Sequence, residues 1–109
     1  MSTASTPSHI LIHRYTPGTG PQEGSPELEA EMEVWDRIDK ELRSTGQLVS
    51  GWALSDPSTT IGKPAEPTTS QTIFAIHALS AASDTEAESI AARMPHLEYG
   101  STEIRKLMV

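Results

Sequence analysis

The sequence predicts one α+β domain of order βαββαβ, and three observations carry that prediction. Four short runs rich in β-branched residues alternate with period two. Two longer stretches repeat their apolar residues at helical spacing. Each stretch lies between two of the runs, which is the split-βαβ, ferredoxin-like pattern, with an antiparallel four-stranded sheet and two helices on one face.

Ser8–Tyr15 reads as the first strand, closed by Thr16-Pro17-Gly18. The loop 17–24 follows. Its T-P-G-T-G-P completes no phosphate-binding pattern and no lysine follows it, so a connector is expected. Ser25 caps the first helix, with Pro26 at its first position and Glu27 and Glu29 placed to complement the helix dipole. Leu28, Met32, Trp35, Ile38 and Leu42 form its apolar stripe, and Gly46 stops it. Gln47–Leu54 is the second strand. A connection from Ser55 to Gln71, broken by Pro57, Gly62, Pro64 and Pro67, leads to the third strand, Thr72–Leu79. Ser83 and Glu86 form a capping box that opens a second helix, whose stripe is Ala87, Ile90, Ala91 and Met94. Pro95 ends it, Gly100 turns the chain, and Ser101–Met108 is the fourth strand.

Strand alternation sorts the sheet into two sets of side chains. Ile10, Ile12, Phe74, Ile76, Ile104 and Met108 are expected under the helices. Leu11, His13, Tyr15, Ala75, His77, Leu79, Glu103, Arg105 and Leu107 then fall on the other face. That second set is too apolar for a solvated face and too polar for a dry core. A face covered by a second copy of the chain, enclosing a polar cleft, fits it best.

Composition narrows the function. The chain has 109 residues, enough for a single core, and residues 1–7 are expected to be a frayed tail before a domain spanning 8–109. Fifteen acids against eight bases give a formal charge of −7, which disfavours nucleic acid as a partner. There is no cysteine, so disulfides, thiolate catalysis and Cys-ligated zinc are excluded. No apolar run approaches the roughly 20 residues that span a bilayer, and the head lacks the features of a signal peptide, so a cytoplasmic protein without a membrane partner is expected. No G-x-S-x-G elbow supports serine hydrolysis. Neither a cofactor nor a metal is expected, since the histidines lack short-spaced ligand pairs.

A-A-R-M-P-H-L-E-Y-G-S-T-E-I-R (Ala91–Arg105) resembles the C-terminal signature of the YCII-related (YciI-like, DGPF) family. E-L-R-S-T-G-Q-L-V-S-G-W-A-L-S-D-P-S-T-T (Glu41–Thr60) is similar to that family's first-helix end, second strand and following loop. The resemblance implies a dimeric α+β barrel-like assembly, with sheets from two subunits facing each other around a pocket. The chain departs from the family in lacking the D-G-P-F loop and in carrying Lys106 where a proline is usual. Its first helix has no histidine, so a His–Asp pair proposed for some members has no counterpart there.

The candidate site follows from the two-character face. His13 is the expected proton-transfer group, oriented by Glu103, because a carboxylate beside an imidazole favours and orients the charged ring. His77, Arg105, Tyr15 and Trp52 are the expected ligand contacts. His9 and His96 are expected at the surface. Two functions follow: a small homodimeric protein binding a small molecule or serving as an accessory or regulatory partner, or a cofactor-free lyase- or isomerase-like enzyme using a pocket histidine.

Overall fold

A computed structural model describes residues 6–66 and 70–108. The elements are β1 (His9–Tyr15), α1 (Pro26–Thr45), β2 (Leu48–Ala53), β3 (Thr72–Leu79), α2 (Asp84–Ala91) and β4 (Gly100–Lys106), with a 3-10 turn at Pro95–Glu98. All sheet pairs are antiparallel and the strand order is β2-β3-β1-β4, compatible with a ferredoxin-like fold. The 3-10 turn adds to the elements expected from the sequence; Pro95 opens it directly after Met94. Most of the tail and part of the 55–71 connection lie outside the described residues.

Local chemistry fixes the helix ends. Ser25 Oγ accepts from the Leu28 N–H at 3.2 Å, and the Gly46 N–H closes α1 onto the Arg43 carbonyl at 3.2 Å. Ser83 Oγ accepts from the Glu86 N–H at 3.1 Å. The Glu86 carboxylate reaches back to the Ala82 N–H, one residue before the position a capping box requires, and also accepts from Gln47.

Both helices pack on one face of the sheet. Leu11, Leu48 and Leu79 from three strands meet Ile38 and Leu42 of α1 and Ile90 and Ala91 of α2, with Met94 beside them. Met94 lies beyond the end of α2, yet it is buried as its place in the stripe requires. Met32, in the second turn of α1, departs from its stripe and is 56% exposed.

The face assignment is the main correction to the sequence reading. Leu11, His13, His77 and Leu79 lie under the helices, whereas Ile10, Ile12 and Ile76 lie on the open face and are half-buried. An unpaired buried polar group is costly, which is the reason to expect histidines away from a core. Here His13 and His77 are paired, so that cost is met by hydrogen bonds and burial is tolerated. His9 and His96, expected at the surface, are buried too.

Ile104 does lie under the helices, opposite Leu11. Phe74 also reaches that side, through a β-bulge: His13 pairs with Ala75 but Arg14 pairs with Ile73, so Phe74 is the extra residue. The bulge re-aims its ring toward His13 and Trp35. Met108 lies past the end of β4 and is 99% exposed.

Gly100 explains how β4 lies so close to β1. A Cβ there would sit 2.1 Å from the Arg14 carbonyl oxygen and 2.9 Å from the His96 ring. Only glycine fits opposite Tyr15.

Candidate functional site

Three buried imidazoles form one connected array beneath α1. His13 on the central strand β1 places Nε2 2.9 Å from His77 Nδ1 on β3 and Nδ1 2.8 Å from Thr102 Oγ1 on β4. Thr102 Oγ1 is 3.2 Å from His96 Nε2, and that nitrogen lies 2.8 Å from the Ser101 carbonyl. At the other end His77 Nε2 is 3.3 Å from Asp39 Oδ1 on α1, an approach that lacks hydrogen-bond alignment.

The two ends fix where the protons sit. The Ser101 carbonyl only accepts, so His96 carries its proton on Nε2. The nearby Asp39 carboxylate favours a proton on His77 Nε2, leaving His77 Nδ1 to accept from His13 Nε2–H. His13 Nδ1 then accepts from the Thr102 hydroxyl, whose oxygen faces the His96 N–H. With every ring neutral each of these hydrogen bonds has one donor and one acceptor, while His96 Nδ1 and Asp39 Oδ1 are buried without a hydrogen-bond partner among the described residues.

Burial enforces that neutrality. It holds the His13 imidazole well below its ordinary range, at about 3, and any charge on His77 or His96 would depress it further. Burial also lowers His77, opposed by the Asp39 carboxylate and reinforced by Arg43. His96 is lowered chiefly by burial, while its bond to Ser101 works the other way.

Rings enclose the array. His13 meets Trp35 edge to face at 5.4 Å, and Trp35 stacks on His96 at 5.4 Å with 20° between planes. Gly51 of β2 admits the His77 ring, since a Cβ there would fall 2.6 Å from its Cδ2.

It is His77 that reaches a cleft. A hollow of about 220 Å³ is lined by Met32, Trp35, Trp52, Ala53, Phe74, Ala75 and His77. Its walls are apolar and aromatic, with the His77 imidazole supplying a polar group. Beyond Met32, Trp35 and Phe74 lies a second cleft of about 240 Å³, to which Tyr15 contributes.

The expected site therefore divides. His13, His77, Tyr15 and Trp52 lie in or beside the array and its clefts. Glu103 and Arg105 do not, because Glu103 pairs with Ile12 and so points away from His13, whose β4 neighbour is Thr102. Glu103 instead binds Arg14 at 2.6 Å and Arg105 at 3.2 Å, and those guanidiniums, Arg14 foremost, hold its carboxyl below the ordinary range. The His13–Glu103 pair is not assembled. Asp39, Thr102 and His96 join the array without having been expected there. Asp39 and Trp35 stand four residues apart on α1, so both project toward β3, a spacing the sequence offers.

A serine–histidine–aspartate series occurs at the start of β1. Ser8 Oγ is 2.7 Å from His9 Nδ1, and His9 Nε2 is 2.8 Å from Asp84. Its hydroxyl is already engaged, accepting from the Ala81 N–H at 2.9 Å with the Ala81 and Leu79 carbonyls at 3.2 and 3.3 Å. The group ties β1 to the segment after β3, a structural role.

Among the described residues no cluster of three or more histidines and carboxylates is arranged to hold a metal ion, and no helix is long and apolar enough to cross a membrane. Scans against protein-family models and curated proteins find no match for the chain.

Proposed function

We propose that the protein is a small cytoplasmic homodimer, related to the YCII-like proteins, that binds a small planar molecule in the His77 cleft and serves an accessory or regulatory role. One observation carries the reading. An aromatic-walled hollow contains the imidazole of His77, which is held in one orientation by His13 behind it and Asp39 beside it. Such a cleft suits a mostly apolar ligand with one hydrogen-bond acceptor for the His77 Nε2–H. The ligand site is thus moved from between two sheets to between α1 and the β2–β3 edge. Support for the dimer comes from Ile10, Ile12 and Ile76, apolar residues on a sheet face that neither helix covers.

The test is a panel of neutral aromatic fragments followed by NMR on the labelled protein, with Ala53→Phe as the blocked variant. Binders should perturb His77, Trp35 and Trp52 and lose that effect in the variant, while its Tm stays within about 2–3 °C, as expected for a surface change. Fragments that bind the variant equally well would remove the proposed site.

A second reading, a cofactor-free lyase- or isomerase-like enzyme, is favoured by the Asp39–His77–His13 series, which orients an imidazole at a cleft. His77 would be the proton-transfer group, since His13 is too weak a base near neutrality. His77→Gln would then abolish turnover of a carbonyl or phenolic substrate and leave its binding within a few-fold, on the order of one hydrogen bond.

A further inference from the structure

The second cleft has a composition of its own. Tyr15, Trp35, Phe74 and Tyr99 line it, which are four of the five aromatic residues in the chain. The rings stand as walls at steep angles: Tyr15 to Phe74 at 5.6 Å and 79°, and Trp35 to Phe74 at 6.0 Å and 84°. Glu31 from α1 brings a carboxylate to the same space, fixed by the Tyr99 hydroxyl, which donates to Oε1 at 2.5 Å. Among the described residues, the lining contains no lysine, arginine or histidine. On the rim, the loop from Thr16 is drawn onto Tyr99: the Thr16 N–H donates to the Tyr99 carbonyl at 3.0 Å. Gly20 lies flat against the ring, where a Cβ would come within 2.8 Å of Cε2.

We propose that this cleft binds a substituted organic ammonium ion. Aromatic faces are electron-rich and attract a cation within about 6 Å of the ring centre, most strongly when water is excluded. Rings from β1, α1 and β3, with Tyr99 after the 3-10 turn, surround the space for one head group, and Glu31 supplies the opposite charge. Substitution on nitrogen suits a lining whose side-chain acceptors are confined to Glu31 and the Thr19, Tyr15 and Tyr99 hydroxyls. A primary ammonium has three N–H donors to satisfy, and a mostly apolar lining would leave some unpaired. A fully methylated nitrogen has none to lose. The chain's net charge of −7 draws cations toward the surface. This site is separate from the His77 cleft, across the shared wall of Met32, Trp35 and Phe74.

The experiment titrates the labelled full chain with choline and with 3,3-dimethylbutan-1-ol, the uncharged carbon analogue of the same shape. Choline should shift the Tyr15, Trp35 and Tyr99 ring signals saturably, and the alcohol should bind about tenfold more weakly. Glu31→Gln should weaken choline about fivefold and leave the alcohol unchanged. Should that variant not fold, Tyr15→Leu serves, keeping bulk while removing a π face, with the same selective loss. Ala53→Phe, which fills only the His77 cleft, should leave choline binding intact, so the two sites stand or fall separately. Equal affinity for the two probes, no saturable choline shift, or choline binding indifferent to the folded variant would overturn the proposal.

Discussion

His13 and His77 share a single proton between them: His13 Nε2 lies 2.9 Å from His77 Nδ1 on the neighbouring strand, with both rings out of water. A hydrogen bond between two imidazoles needs one donor and one acceptor nitrogen. Protonating either ring fully would bury a charge out of water and break the direction of the whole array.

Acid should therefore unfold this protein early. The folded-state values of His13, His77 and His96 lie below the ordinary one, so the unfolded chain takes up more protons as pH falls below about 6.5. Stability is complete above that value and is lost on the way down toward about 3, where His13 itself titrates. His13 alone accounts for about 2 kcal/mol between pH 7.5 and 5. Urea unfolding at the two pH values measures it; a midpoint that does not move would mean the rings are not buried neutral.

Removing His13 should be costly where removing Glu103 is not. His13→Ala leaves a cavity and strips partners from His77 and Thr102, a loss of about 3 kcal/mol. Glu103→Gln touches a partly exposed network with Arg14 and Arg105, and should cost under about 1 kcal/mol. Chemical denaturation of both variants decides the ranking. Equal costs would contradict the difference in burial and bonding on which the ranking rests.

The contrast also shows what can be read from the sequence. Strand and helix identities are legible because alternation, Ser25, Gly46 and Ser83 are local signals. Which face of the sheet meets the helices is not. Both faces of β1 carry apolar residues, Ile10 and Ile12 on one and Leu11 on the other, so hydrophobicity does not choose between them. The deciding fact, mutual hydrogen bonding among histidines distant in sequence, belongs to tertiary structure. A single bulged residue places Phe74 on the side expected for it, while its neighbour Ile76 lies on the other.

Gly100→Ala should be among the most harmful small substitutions. Its methyl group would sit against the Arg14 carbonyl, a backbone atom that cannot swing aside, and against His96. A loss of about 3 kcal/mol or more is expected from the forced separation of β1 and β4. Thermal unfolding measures it, and a Tm within about 2–3 °C of the parent, as for a surface change, would contradict the close approach.

The open sheet face provides a test of assembly. Size exclusion with light scattering should give the mass of two chains at micromolar concentration, and Ile12→Asp should return one. A parent protein that runs as a monomer would end the dimer proposal without affecting the His77 cleft.

Neutral, oriented imidazoles running through the core to the apolar cleft at His77 are the feature on which the proposed function rests. Long-range 1H–15N NMR of the histidine side chains tests it most directly, because each protonation state and tautomer has its own nitrogen shift pattern. His13, His77 and His96 should all show the neutral Nε2–H form at pH 7, His13 should keep it at pH 5.5, and a cleft-binding fragment should shift His77 Nε2 first. An imidazolium pattern at His13 with a midpoint near its ordinary value, about 6.5, would contradict it.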